Sequence, residues 1–262
     1  MNETLDILRH EARAAAAQAY VPYSGRAVAA VLLLADGTWI PGVRVESASF
    51  SLVIPALVNA FTTAIAAGRT DVVAVALSHP FLAEDAAYVQ AAPTGPFRQT
   101  ADDAFVAADA EALPLFETRL DPFLDSPLPE TPEAGIALAR EIARRAHIPE
   151  SAFPVGCVLT TADGRLLPGV NVEHSDWARI LCAERNALGT AISWGQPSVQ
   201  TVYLTCLKDP TGSPCGACRQ LLAELASDAT VWMDRGDAPP EATSPARLLP
   251  GAFHGQSLVR ST

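Results

Sequence analysis

The sequence has a single lysine, Lys208, and no cysteine before position 157. Its 262 residues carry 18 basic against 29 acidic side chains, a net charge of −11. A polynucleotide binder needs a basic stripe to neutralise phosphates. The arginines here are scattered, so no nucleic-acid partner is expected. Charged residues make up only 18% of the chain and apolar ones 49%, which excludes a disordered polymer and leaves ample material for a core. No apolar run approaches the roughly 20 residues of a membrane-spanning helix; the longest lies near Val28–Ala35. Met1–Arg13 is charged and polar, without the basic start and apolar middle of a secretory leader. No membrane association and a cytoplasmic location are therefore expected. The five cysteines, Cys157, Cys182, Cys206, Cys215 and Cys218, all lie in the second half. Their odd number argues against a disulfide framework, and their clustering points to a metal or catalytic site there.

An internal repeat organises the chain. Shifted by 127 positions, residues 20–68 align with residues 147–195 without a gap, and about 20 of roughly 49 pairs are identical. Asp36-Gly37 matches Asp163-Gly164, Pro41-Gly42-Val43 matches Pro168-Gly169-Val170, Val45-Glu46 matches Val172-Glu173, and Asn59-Ala60 matches Asn186-Ala187. Gapless register over this length is the signature of a duplication. The joint is DPFLDSPLPETP, residues 121–132, whose prolines break helices and ladders. Thr131 reads as a helix N-cap with Pro132 in the first turn. The expected division is 1–120, a linker over 121–132, and 133–262.

Each repeat predicts the same elements. A helix (2–19; 133–146) leads to a strand (27–34; 155–160), an Asp-Gly turn and a second strand (38–45; 165–172). An Asp-Gly between apolar strands is a strong hairpin signal. A helix (55–67; 182–194) and a strand (72–77; 199–205) follow. The second half adds a helix at 216–226 and a strand at 230–233. Strands alternating with helices predict an α/β fold of two tandem α/β/α units, each a mixed sheet between helices.

Only the second repeat carries reactive residues. Cys182-Ala183-Glu184 opens one helix, and Pro214-Cys215-Gly216-Ala217-Cys218 opens the next. Three thiolates from two helix starts can meet one Zn²⁺ ion and leave its fourth position open, as in catalytic rather than structural sites. Helix N-termini favour thiolate over thiol. Arg185 adjoins the first ligand and is placed to hydrogen-bond thiolate sulfur, offsetting the charge of the site. Glu184, two residues from a ligand, can hang over the open position and move protons, the arrangement of zinc deaminases. A lone Cys-x-x-Cys would suit structural zinc first, with a redox dithiol behind it. Cys-Ala-Glu plus Pro-Cys-x-x-Cys on successive helix starts favours the catalytic reading.

The second half resembles the cytidine deaminases, on SAFPVG, GVNVE, CAERNAL, SPCGACRQLL and LLPGAF within residues 131–255; the first half resembles them more faintly. The resemblance implies a zinc hydrolase of pyrimidine salvage that converts cytidine and deoxycytidine to uridine and deoxyuridine. It makes Cys182, Cys215 and Cys218 the ligands of one zinc per chain, and Glu184 the catalytic acid–base. Asn171 and Glu173 match the pair that holds the ribose hydroxyls. Phe153 matches an aromatic residue on the pyrimidine, or is equally a core residue. Cys157 stands where the family has alanine, with backbone contacting the base, as the backbone near Ala183 does. Cys206 matches no motif and reads as a buried strand residue. Phe253 matches a C-terminal aromatic that reaches the pocket.

At the same offset Pro55 replaces Cys182, Leu57 replaces Glu184 and Val58 replaces Arg185, so the first repeat is expected to have neither zinc nor pocket. It nevertheless keeps Glu46-Ser47-Ala48-Ser49-Phe50, close to the family's Glu-Asn-Ala-Ser-Tyr, whereas the second repeat has drifted to NVEHSDW at 171–177. In the family that segment serves a neighbouring subunit. Here Ala48 and Phe50 are expected to serve the second repeat's pocket, in the same chain or a partner, with a homodimer of two-repeat chains imitating the family's tetramer. Three rivals stand. One is deamination of another aminopyrimidine nucleoside, such as a modified cytidine or blasticidin S. Another is a non-catalytic zinc-stabilised binding module, and the third is an RNA or DNA deaminase.

Overall fold

The computed structural model describes residues 2–196 and 198–258. The first repeat runs α1 (Asn2–Ala15), β1 (Ala29–Leu34), β2 (Trp39–Val43), α2 (Ala56–Ala66), β3 (Val72–Leu77), α3 (Ala83–Gln90), β4 (Phe97–Ala101) and β5 (Ala104–Ala107). The second runs α4 (Pro132–Ile142), β6 (Val155–Thr161), β7 (Leu166–Val170), α5 (Ala183–Ser193), β8 (Val199–Cys206), α6 (Gly216–Leu225), β9 (Thr230–Arg235), β10 (Ala238–Thr243) and α7 (Pro245–Leu248). The two Asp-Gly turns close antiparallel hairpins, β1 with β2 and β6 with β7. Gly37 and Gly164 sit at φ +86° and +79°, a conformation that glycine adopts without steric cost. Thr131 caps α4, its hydroxyl accepting from the Ala134 amide at 3.2 Å. No helix among the described residues is long and apolar enough to cross a membrane.

The strand orders are β2-β1-β3-β5-β4 and β10-β9-β8-β6-β7. The expected pair of α/β units with helix-flanked sheets is present, and one detail is corrected. The second sheet is mixed, with β9 parallel to β8, but every pairing in the first is antiparallel. A parallel crossover needs a dozen or more residues, usually helical. After β3 the first repeat has only the eight-residue α3. The chain then lays down the outer strand β4 before the inner strand β5, which reverses the strand in the slot that β9 fills.

Alternation along the central strands builds the layers. In β1, Leu32 and Leu34 join Phe61 of α2, whereas Val31 and Leu33 join Leu8 and Ala12 of α1. In β6, Cys157 and Leu159 join Ala187 and Leu188 of α5, whereas Val158 joins Ile136, Ala139 and Ile142 of α4. Side chains on a strand alternate between faces, so a strand covered on both faces reads as a continuous apolar run. Helix α2, ALVNAFTTAIA, is buried along its whole length, its polar Asn59, Thr62 and Thr63 included.

Helices α2 and α5 join the repeats. The Thr63 and Thr190 hydroxyls meet at 2.8 Å, and these residues are 127 apart. A residue that touches its own counterpart marks a twofold axis. Around it, Asn59 Nδ2 donates to the Val43 carbonyl at 2.8 Å, the Gly189 carbonyl at 3.1 Å and Ser193 Oγ at 3.0 Å. Asn186 accepts from the Val170 amide and donates to Thr62 Oγ1, both at 3.0 Å. The largest apolar cluster runs through both helices into both sheets.

Candidate active site

The site is built on two helix starts. Cys182 is the N-cap of α5 and Cys215 the N-cap of α6, both in extended conformation, with Cys218 buried in the first turn of α6. Gly169 of β7 sets the seat of α5. A Cβ there would collide with the Ala183 carbonyl and the Ala187 side chain. Gly42 makes the same approach to Ala56 and Ala60 of α2.

The Cys182 and Cys215 sulfurs are 3.7 Å apart, and those of Cys215 and Cys218 are 3.5 Å apart. All three lie within 4.8 Å of one another. Tetrahedral zinc with bonds of about 2.3 Å places its sulfurs about 3.8 Å apart, so spacing and donor chemistry both fit that ion. The cysteines are free thiols. Hydrogen bonds from Cys182 and Cys218, joined by the free amides of Ala217 and Cys218, hold the Cys215 thiol far below its ordinary value.

Glu184 is only 3% exposed. Burial pushes its carboxyl up to about 7, and the charge at Cys215 adds to this, against bonds to its own amide and to Cys218. The Cys157 thiol, fully buried on β6, is pushed up by burial and by the nearby Glu184 charge. Ala183 is also fully buried. Phe153 is half-buried and lies outside the buried core, and Phe253 is half-exposed.

Other expectations are modified. Asn171 is tied to backbone at both ends, its Oδ1 accepting from the Val155 amide at 2.9 Å and its Nδ2 donating to the Phe153 carbonyl at 2.9 Å. Glu173 Oε2 accepts from the amides of Glu150 and Ser151, at 2.8 and 3.1 Å. Glu46 makes the equivalent bonds to the amides of Tyr23 and Ser24, so this carboxylate shapes the loop in both repeats. Arg185 is corrected outright. Its one hydrogen bond among the described residues runs to the Leu52 carbonyl at 3.0 Å, not to sulfur, and its Nε is buried without a partner. Cys206 is half-buried at the end of β8 rather than fully buried.

The first repeat does have a cavity, against expectation. It measures about 200 Å³ and is lined by Arg44, Pro55, Leu57, His79, Asp85 and, from the second repeat, Arg179. It occupies the repeat-equivalent position, with Pro55 and Leu57 where Cys182 and Glu184 stand. The drifted residue His174 stacks on Tyr88 of α3, ring centres 4.7 Å apart, so the drifted segment packs on the first repeat. Ser47 and Ala48 reach reciprocally to the second. Ser47 Oγ and the Ala48 amide donate to Glu224 of α6, at 2.7 and 2.8 Å. Sequence reading missed Glu224 because no local motif marks a partner 176 positions away.

Residues 1–92 and 129–234 each match a family profile described as the cytidine and deoxycytidylate deaminase zinc-binding region. The cytidine deaminase of Sporosarcina psychrophila is 37% identical over 127 residues, covering 48% of this chain and 93% of that protein. The chain belongs to the cytidine deaminase family. A probable cytidine deaminase of Dictyostelium discoideum is 38% identical, over 48% of this chain and 86% of its own length. The crystal structure of cytidine deaminase from Burkholderia pseudomallei is 34% identical and covers 47% of this chain and 99% of that one, with a TM-score of 0.45. This family member therefore carries two zinc-binding-region matches, and the cysteine cluster lies within the second.

Proposed function

We propose that the chain is a zinc-dependent hydrolase that deaminates cytidine and deoxycytidine, with one zinc per chain in the second repeat. The observation that carries this reading is the triangle of Cys182, Cys215 and Cys218 sulfurs beside the buried Glu184 carboxylate. Zinc, when bound, supplies the Lewis acid that brings the pKa of water to near 7. The three cysteines hold it. Glu184 takes a proton from the attacking water and delivers it to N3 of the pyrimidine as the water oxygen bonds to C4; it then takes that oxygen's remaining proton and passes it to the amine, which leaves C4 as ammonia. Phe153 and the backbone at Cys157 and Ala183 receive the base. Asn171 and Glu173 meet the ribose with the hydrogen-bonding capacity left over from their backbone bonds, Ala48 and Phe50 approach from the first repeat of the same chain, and Phe253 approaches from the C-terminal segment. Arg185 acts on this site through Leu52.

A homodimer with two active sites is part of this reading, supported by two exposed aromatics at equivalent repeat positions, Phe50 (87% exposed) and Trp177 (77%). Pyrimidine salvage in the cytoplasm is the setting, supported by five unpaired thiols, which suit a reducing compartment.

The test is ultraviolet monitoring of zinc-loaded protein with cytidine and deoxycytidine, with Glu184→Gln in parallel. The wild type converts both. The variant retains zinc and loses about 10³-fold in kcat, the range of general acid–base catalysis. An undiminished rate in Glu184→Gln refutes the role of Glu184. A zinc-loaded wild type inert toward both nucleosides refutes the substrate.

A further inference from the structure

We propose that Glu224 is a positioning residue for nucleoside binding: from the second repeat it fixes residues 47–50 of the first repeat beside the active site. Glu224 lies near the end of α6, the helix whose start carries Cys215 and Cys218. One carboxylate oxygen accepts from Ser47 Oγ at 2.7 Å and from Gln220 Nε2 at 2.6 Å, and the other accepts from the Ala48 amide at 2.8 Å. Gln220 also donates to the Phe253 carbonyl at 2.7 Å, so the same node anchors the C-terminal segment.

The other end of the first-repeat segment is held as well. The Leu52 carbonyl accepts from Arg185, one residue after Glu184. Residues 48–52 are thus fastened at both ends to the two helices that bear the sulfurs. Between the fastenings Phe50 projects, 87% exposed. A single exposed aromatic is ordinary on a protein surface; the proposed deaminase reading makes this one a nucleoside contact, and the two fastenings fix its backbone. The equivalent segment in the other repeat carries the exposed Trp177 but is held differently. There His174 stacks on Tyr88 of α3, and among the described residues no α3 carboxylate bonds residues 174–177. The carboxylate clamp falls on the side where the cysteine cluster lies.

The chemistry of the clamp requires a charged group. A carboxylate accepts at both oxygens, with about four lone-pair sites, and its neighbours here are donors. Glutamine has the same shape but turns one acceptor oxygen into an NH₂ donor facing donors. Hydrogen bonds to a charged group are among the stronger ones, so Glu224→Gln frees the segment without emptying the space.

This inference rests on the proposed deaminase reading, and the experiment separates the two. In Glu224→Gln, the amides of residues 47–52 exchange hydrogen about 10-fold faster, while those of α5 and α6 and the zinc content are unchanged. KM for cytidine rises about 10-fold and kcat stays within about 2-fold. Ser47→Ala, which removes one donor, moves KM the same way by a smaller factor, and the double variant adds nothing beyond Glu224→Gln. Unchanged exchange overturns the clamp. Loss of kcat and zinc at constant KM also overturns it, because Glu224 would then act through α6. A wild type inert toward cytidine overturns the deaminase reading alone, and the exchange measurement still decides the clamp.

Discussion

The two repeats share a hairpin, a glycine-seated helix and a glutamate-bound loop, yet the cysteine cluster lies in the second alone among the described residues. Cys182 and Glu184 at the start of α5 are matched by Pro55 and Leu57 at the start of α2. Where Asn171 stands after β7, the first repeat has Arg44, whose Nε reaches Glu46 at 3.2 Å. What both repeats retain is scaffold, and what the first lacks is the cysteine-and-glutamate set on which the proposed reaction depends. The first repeat also acts as a partner. It supplies the threonine and asparagine contacts across the α2–α5 interface and the segment clamped by Glu224.

Substitutions at equivalent positions test that division. The largest effect is expected for Cys182→Ala against Pro55→Ala. The first abolishes cytidine conversion and zinc retention, since two sulfurs remain for a site that needs three protein ligands. The second leaves the rate within about 2-fold. Steady-state kinetics and metal analysis read both. A comparable loss from Pro55→Ala would give the first repeat a part in the chemistry.

Next in size are Asn59→Ala and Asn186→Ala at the interface of the repeats. Each removes a buried amide with partners in both repeats and leaves groups unpaired, at a cost of about 2 kcal/mol. Urea denaturation should show similar losses for the two. A single unfolding transition is expected in each, because one apolar cluster joins the repeats.

The smallest effect concerns pH. Burial pushes Glu46 up, but bonds from Ser24, Tyr23 and Arg44 outweigh it and hold the carboxyl below its usual range. Glu173 likewise ends below that range, burial being outweighed by bonds from Ser151 and Glu150 and by His147. A carboxyl depressed in the folded state contributes stability above its unfolded pKa and loses it as pH falls through the folded value. Glu46→Gln and Glu173→Gln should each flatten the acid limb of a stability–pH curve. Glu173→Gln should also raise KM for cytidine, and Glu46→Gln should not. Equal kinetics in both would reduce Glu173 to a loop-shaping residue.

Much of this was legible because the signals were local or periodic. The Asp-Gly turns, the Thr131 cap, the cysteine-led helix starts and the 127-residue repeat each lie within a short window or a constant offset. The antiparallel turn of the first sheet was not legible. Its causes are the short α3 and the β4–β5 hairpin, in a stretch with Pro80, Pro93 and Pro96 and no periodic apolar pattern. Glu224 and the Leu52 partner of Arg185 were hidden because their meaning lies in contacts 176 and 133 positions apart. The first repeat's cavity was hidden because Pro55 and Leu57 in place of reactive residues do not show whether the space beside them is filled.

Metal content per chain tests the central claim most directly. The protein would be purified, equilibrated with zinc, freed of loosely held ions and analysed for zinc per polypeptide. One zinc per chain, falling to none in Cys215→Ala, is the predicted result. Two zinc ions per chain, or one that survives Cys215→Ala, would contradict the assignment of the chemistry to the second repeat alone.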